Sequence, residues 1–321
     1  MITDTLRVSG PADLVQAVRY LFGFELSDSM VLVGLARGTL RVAARLDLPV
    51  EHADVVCESV AAVVRGGARE LIAVLYVPAS LSRRECYVLG ASAEAAAGAL
   101  DVPVVDTLVV ADGCWRSLAP GGLHGPLNSA ASPLAAAAVL AGLTVLPGRS
   151  SLEALLEPAP AAERERLAAA VDAAEEGEVR AALAGQQGRW RRSVVRALFA
   201  AARAADAAGQ LPTDADAARF GAALSNIAVR DAVWMAIERG RLSGRGLWLD
   251  LARRLPDPYS AAPAFLAGWS AWRSGEGALA GIAVSRALHA CPGYRAAQLL
   301  ESAVAAGADP RRVARLRCRT T

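Results

Sequence analysis

The sequence predicts an α/β N-terminal domain with a mixed sheet, residues 1–148, followed by an all-α helical domain, residues 149–321, containing one tetratricopeptide-like hairpin. Three observations carry this prediction. Met30 to Leu35 and Leu71 to Val77 are near-continuous aliphatic runs of strand length, as in strands buried on both faces. Helical spacing alternates with such runs in the first half and takes over completely in the second. At 321 residues the chain is also long for a single hydrophobic core.

The elements follow in order. Val8 to Pro49 reads as a strand end, a helix and a β-hairpin, and serves as the organising stretch of the first domain. Gly10 suits the N-cap, Pro11 the first helical position, and Leu14, Val18, Leu21 and Phe22 form one apolar stripe that Gly23 ends. Met30 to Leu35 is the first hairpin strand and Arg37-Gly38 the turn. In the second strand Leu40, Val42, Ala44, Leu46 and Leu48 alternate with polar residues. His52 to Arg65 is helical, Leu71 to Val77 a central strand, and Ser82 to Leu100 a further helix. Val102 to Val110 and Cys114 to Leu118 form a hairpin across Asp112-Gly113. Ala119 to Pro133 reads as a surface loop and Leu134 to Leu143 as a short helix. Beyond the boundary at Pro147 to Ser151, helices are predicted at Leu152–Leu156, Ala161–Glu176, Arg189–Ala208, Asp214–Arg239 and Leu247–Leu255. From Phe265 to Tyr294, the residues Gly268, Gly275, Ala280, Ala287 and Pro292 match the small residues and terminal proline of a tetratricopeptide hairpin. Only one such unit is present. Five of the six tryptophans lie in this second half, where large aromatics fill contacts between alanine-rich helices.

Composition excludes several chemistries. All 34 basic residues are arginine, which removes a standard phosphate-binding loop lysine, a kinase lysine, a Schiff-base lysine and every other lysine nucleophile. Net charge is +2, divided as −4 over residues 1–148 (ten Arg, fourteen Asp and Glu) and +6 over residues 149–321 (twenty-four against eighteen). Neither half is basic enough to announce nucleic acid. Five scattered cysteines without a CxxC pair, no secretion-signal pattern and no apolar run near the ~18 residues of a membrane span point to a reduced, cytoplasmic setting.

No metal or cofactor signature stands out. His52, His124 and His289 have no partner at helical ligand spacing, and no HExxH or GxSxG occurs. The catalytic candidates are therefore few. Asp47 ends a strand, and Asp106 interrupts the apolar run VPVVDTLVV, where a carboxylate needs an arginine partner or acts as a base of raised pKa. His124 lies in the glycine-rich GGLHGPL segment. The partner-binding candidates are Arg189, Arg192 and Arg196 on one helix, Trp269 and Trp272 in the helical hairpin, and Arg311, Arg312 and Arg315 in the arginine-rich tail.

The segments GPADLVQAVRYLFGFELSDSMVLVGL, RLDLP, VRDAVWMAI, LWLDLARRLPDP and AWRSGEGALAGIAVSRAL resemble an uncharacterised domain-of-unknown-function family common in actinobacteria. Its members pair an α/β N-terminal region with a helical C-terminal region. The resemblance implies a cytoplasmic actinobacterial protein and supplies no activity. Members often carry cysteines after the tryptophan-containing strand; Ser117 to Leu127 here reads SLAPGGLHGPL, which removes that basis for a metal or redox role.

The reading expected from the residues is a non-enzymatic interaction or adaptor protein with an unidentified protein partner or a second copy of itself, no cofactor and no membrane contact. The alternatives are a hydrolase or small-molecule transferase with its site at the sheet edge, and nucleic-acid binding through the arginine clusters.

Overall fold

The computed structural model describes residues 8, 10–50, 52–127, 133–140 and 143–310. The chain divides into two compact units, Met1–Leu152 with Ala305–Asp309, and Glu153–Val304 with Pro310–Thr321. The strand end expected ahead of the first helix lies mostly outside the described residues.

In the first unit, α1 (Pro11–Phe22) starts at Gly10 and stops at Gly23, whose φ of 78° is left-handed and whose N–H bonds the Arg19 carbonyl. β1 (Ser29–Ala36) and β2 (Thr39–Asp47) form the expected hairpin, turning where Arg37 and Gly38 both take positive φ. Then come α2 (Ala53–Arg65), β3 (Glu70–Tyr76), α3 (Arg83–Gly98), β4 (Val104–Ala111) and β5 (Cys114–Ser117). α3 opens on a capping box in which Glu85 N donates to Ser82 Oγ and Ser82 N donates to Glu85 Oε2. The sheet order is β2-β1-β3-β4-β5-β6. β3 and β4 are parallel across the α3 crossover, and the other neighbours are antiparallel.

Strand alternation divides the core. Met30, Leu32, Leu71, Ala73, Leu75 and Val109 pack with Val56, Val60 and Val63 of α2 and Cys86 and Ala93 of α3. Val31, Val33, Val74, Tyr76, Leu108 and Val110 pack with Leu14, Val15 and Val18 of α1. After their first residues, Ser29 and Glu70, the strands β1 and β3 are thus apolar on both faces because both faces carry helices.

The presumed loop Ala119–Pro133 holds one more strand, β6 (His124–Pro126). It is fastened by Leu123 O accepting from Ser117 N at 2.8 Å and by Leu127 N donating to Gly113 O at 2.7 Å. Three residues are too few to show a period of two, so composition alone reads this strand as loop. α4 (Pro133–Leu140) follows.

Along the chain, α5 (Arg149–Glu153) and a 3₁₀ turn (Ala154–Leu156) precede the long helices of the second unit. α6 (Ala161–Leu183) runs seven residues past the expected Glu176 end, accommodating Gly177, and buries Leu167 and Val171. α7 spans Gln187–Ala208. The single helix expected over Asp214–Arg239 is two, α8 (Asp214–Ser225) and α9 (Ile227–Glu238). The break is at Asn226, whose ψ of 116° leaves the helix. Its Oδ1 caps α9 by accepting from Ala228 N at 3.1 Å, and its Nδ2 donates to Glu178 Oε1 at 2.7 Å.

α10 (Arg245–Arg254), α11 (Ala261–Ser274), α12 (Gly277–Ala290) and α13 (Arg295–Ala305) complete the unit. α11 and α12 form the expected hairpin across Gly275, at φ 85°, and Glu276. A Cβ on Gly268 would lie 3.3 Å from Ala283 Cβ, which shows how the small residue lets the helices close. Against α11 sits an aromatic cluster: Trp234 meets Phe265 and Trp269 edge-on at 4.9 and 5.0 Å, and Trp269 meets Trp272 at 5.2 Å.

Candidate functional site

The register places a polar face beside α3. Val109 is opposed by Arg116 and then His124, while Ala111 is opposed by Cys114 and then Pro126. Opposed residues of antiparallel strands share a face. Val109 belongs to the core under α2 and α3, so Arg116 and His124 emerge on that same side. There a cleft of about 540 Å³ is lined by these residues, by Arg83 from the start of α3 and by glycines 121, 122 and 125. A second depression of about 380 Å³, lined by the β3–α3 segment and Asp112, shares Arg83, Ala111, Cys114 and Arg116 with it.

The cleft is held by local contacts. Arg83 lies over the Tyr87 ring, 5.6 Å from its centroid, with Nη2 donating to Tyr87 Oη at 3.3 Å. Tyr87 in turn donates to the Leu118 carbonyl at 2.9 Å. The β5–β6 turn is closed by Gly122 N donating to Ala119 O at 2.9 Å, and by Ala119 N donating to Ser117 Oγ at 3.1 Å. Gly122 is obligatory there, because a Cβ would sit 2.6 Å from Ser117 Oγ. Among the described residues neither Arg83 nor Arg116 has an acidic partner, and Arg116 Nε is buried without an acceptor.

The three predicted catalytic residues do not converge. Asp47 lies three strands across the sheet from Asp106 and four residues out of register with it, about 19 Å away by strand geometry. It pairs with Arg45 Nη2 at 2.6 Å and is largely exposed. Asp106 opposes Ile72 and so faces the α1 side of the sheet, the reverse of His124. Its partner is not the expected arginine: Ser117 Oγ donates to Asp106 Oδ1 at 2.6 Å. Only His124 reaches the cleft. Arg83 and Arg116 were missing from the sequence-based set because they stand 33 residues apart, and only strand pairing and the α3 crossover bring them together.

In the second unit, the predicted partner-binding residues separate into two kinds. Trp269 and Trp272 are buried at 7% and 5% exposure, so their rings are packed inside the unit and are not offered to a partner. Trp269 Nε1 donates to the buried Glu238 at 3.2 Å, and Arg273 Nε pairs with the same oxygen at 3.2 Å.

Arg189, Arg192 and Arg196 are exposed on α7, and so is Arg203 further along. At 100° per residue the four fall within an arc of about 60°, opposite Val194, Leu198, Ala202 and Ala205 on the buried side. They extend over about 21 Å of helix. No ion pair joins any of the four among the described residues. Arg311, Arg312 and Arg315 lie outside the described residues.

Among the described residues no group of three or more His, Cys, Asp or Glu is arranged to hold a metal ion, and no helix is long and apolar enough to cross a membrane. No curated protein and no solved structure matches the chain. A family model described as a domain of unknown function matches residues 11–311, nearly the whole chain, and the protein therefore belongs to that family, DUF4192.

Proposed function

We propose that the protein is a cytoplasmic, non-enzymatic interaction protein that docks an acidic protein partner along α7. The carrying observation is the row of Arg189, Arg192, Arg196 and Arg203: four exposed guanidinium groups on one rigid helix face, none neutralised by a neighbouring carboxylate. Evenly spaced forks of this kind suit carboxylate side chains. The absence of convergence among Asp47, Asp106 and His124 supports a binding role over a catalytic one. Nucleic acid is the less favoured occupant, because Trp190 and Phe199 are partly buried and leave no exposed aromatic platform between the arginines.

The test is affinity capture from the native host with wild type and with the triple variant R189E/R192E/R196E. A protein partner retained by wild type, weakened by added salt and lost from the variant is the expected result. Capture of the same proteins by both forms would refute the assignment. Nuclease-sensitive retention of RNA or DNA, lost in the variant, would replace the protein partner by nucleic acid.

A further inference from the structure

The geometry points to the cleft between α3 and the β4–β6 strands as a binding site for a small organic phosphate. This site is independent of α7 and of the docking role assigned to it.

Three features select that chemistry. The first is donor arrangement. Arg83 arrives from a helix, Arg116 from β5 and His124 from β6, so groups able to hydrogen-bond an anion line one cavity from separate elements. A phosphomonoester presents three terminal oxygens and can use several such donors together; a carboxylate presents two and is satisfied by one guanidinium fork. The second is the electrostatic state of the two arginines. Neither has a carboxylate partner among the described residues, so both charges are available to an anion that enters the cleft. The third is the remaining lining. Val109, Ala111 and Pro126 supply an apolar surface on the same face, and about 540 Å³ is within the range of small-molecule sites.

The position in the fold agrees. β3 and β4 are the parallel pair, and the second depression, which shares both arginines, is lined by Val77, Pro78, Ala79 and Leu81 immediately after β3. Ligand crevices in sheets with parallel strands lie outside the carboxyl ends of those strands. The cleft is also partly organised by its own contacts, with Arg83 bonded to Tyr87 and the β5–β6 turn closed by its own hydrogen bonds. Preorganised donors lose less entropy on binding.

The experiment uses the full chain and phenyl phosphate as probe, read by calorimetry and by the imidazole proton signals of the three histidines. Saturable binding at or below about 10 mM is expected, in the weak-affinity range of a minimal ligand. The His124 signals should move while those of His52 and His289, which do not line the cleft, stay in place. R83A, an exposed position, should weaken binding about tenfold or more, and R116M comparably. R84A, equally exposed on α3 but absent from the cleft lining, should change it less than about twofold. Inorganic phosphate should bind more weakly because it leaves the apolar lining uncovered, and benzoate because it uses fewer donors.

Absence of saturable binding, equal loss in R84A and R83A, or shifts spread over all three histidines would overturn the site. Benzoate binding as tightly as phenyl phosphate would overturn the phosphate assignment. Failure here leaves the α7 capture result untouched, since the substitutions lie in different units.

Discussion

The Arg286 guanidinium donates from Nη2 to Asp257 Oδ1 at 2.8 Å and to Ser260 Oγ at 3.1 Å, joining α12 to the turn that precedes α11. Arg286 is 7% exposed, so its charge depends on this carboxylate. Burial works to raise the Asp257 pKa, but hydrogen bonds from Arg286 and Ser260 together bring it below the usual carboxylate value. A carboxyl group with a depressed folded pKa contributes stability above its unfolded pKa, near 4, and loses it as pH falls through the lower folded value.

Asp257→Asn should therefore destabilise the protein by about 3 kcal/mol at pH 7, because it strands a buried cation. Urea unfolding as a function of pH checks this. The gap between variant and wild type should narrow as pH drops below about 4.

Glu238 is nearly inaccessible and serves two donors, Trp269 and Arg273. Glu238→Leu should cost about 3 kcal/mol, since it leaves Trp269 Nε1 and Arg273 Nε without an acceptor, although Arg273 Nη1 keeps the Pro310 carbonyl. Trp269→Phe removes a single donor and retains most of the ring area, so a smaller loss of about 1–2 kcal/mol is expected. A double-mutant cycle measured by denaturant unfolding should show the two substitutions to be non-additive.

Gly34 of β1 lies under α2, where a Cβ would come within 2.5 Å of Val63 Cγ1 and 2.8 Å of Ala68 Cβ. Gly34→Ala should destabilise the first unit by about 1–3 kcal/mol through overpacking. Gly34→Ala combined with Val63→Ala should recover part of that loss, and thermal unfolding distinguishes them.

Removal of the Ser117 hydroxyl breaks two contacts at once, the bond to Asp106 and the one from Ala119 N that shapes the β5–β6 turn. Ser117→Ala should lower stability by about 1–2 kcal/mol. Amide exchange should rise first around residues 117–123, ahead of global unfolding.

The α7 arginines behave oppositely. Their guanidinium groups face solvent and make no ion pairs among the described residues, so single Arg→Glu changes at 189, 192 or 196 should move stability by less than about 0.5 kcal/mol. A melting curve that shifts further would mean that α7 packs through these residues.

Much of the architecture is local and was legible without coordinates. Pro11 and Gly23 bracket α1, Arg37-Gly38 and Asp112-Gly113 turn their hairpins, and the aliphatic runs around Met30 and Leu71 mark strands sandwiched between helices. The Gly268 and Gly275 spacing likewise announces a close helical hairpin. These signals are readable because each depends on backbone conformation or on periodicity within a few turns of chain.

Three matters were decided only by tertiary structure. β6 exists because β5 offers an edge to pair with, although its own three residues carry no pattern. The long helix divides at Asn226, whose amide is engaged by the distant Glu178 as well as by α9. Finally, the polar residues acquire their neighbours through strand order. That order sets Asp47 and Asp106 about 19 Å apart, turns Asp106 toward Ser117, and brings Arg83 and Arg116 to one cleft with His124. Sequence by itself determined most of the elements, but not β6 or the break at Asn226; long-range pairing, whose free energy depends on which surfaces meet, determined these and the site.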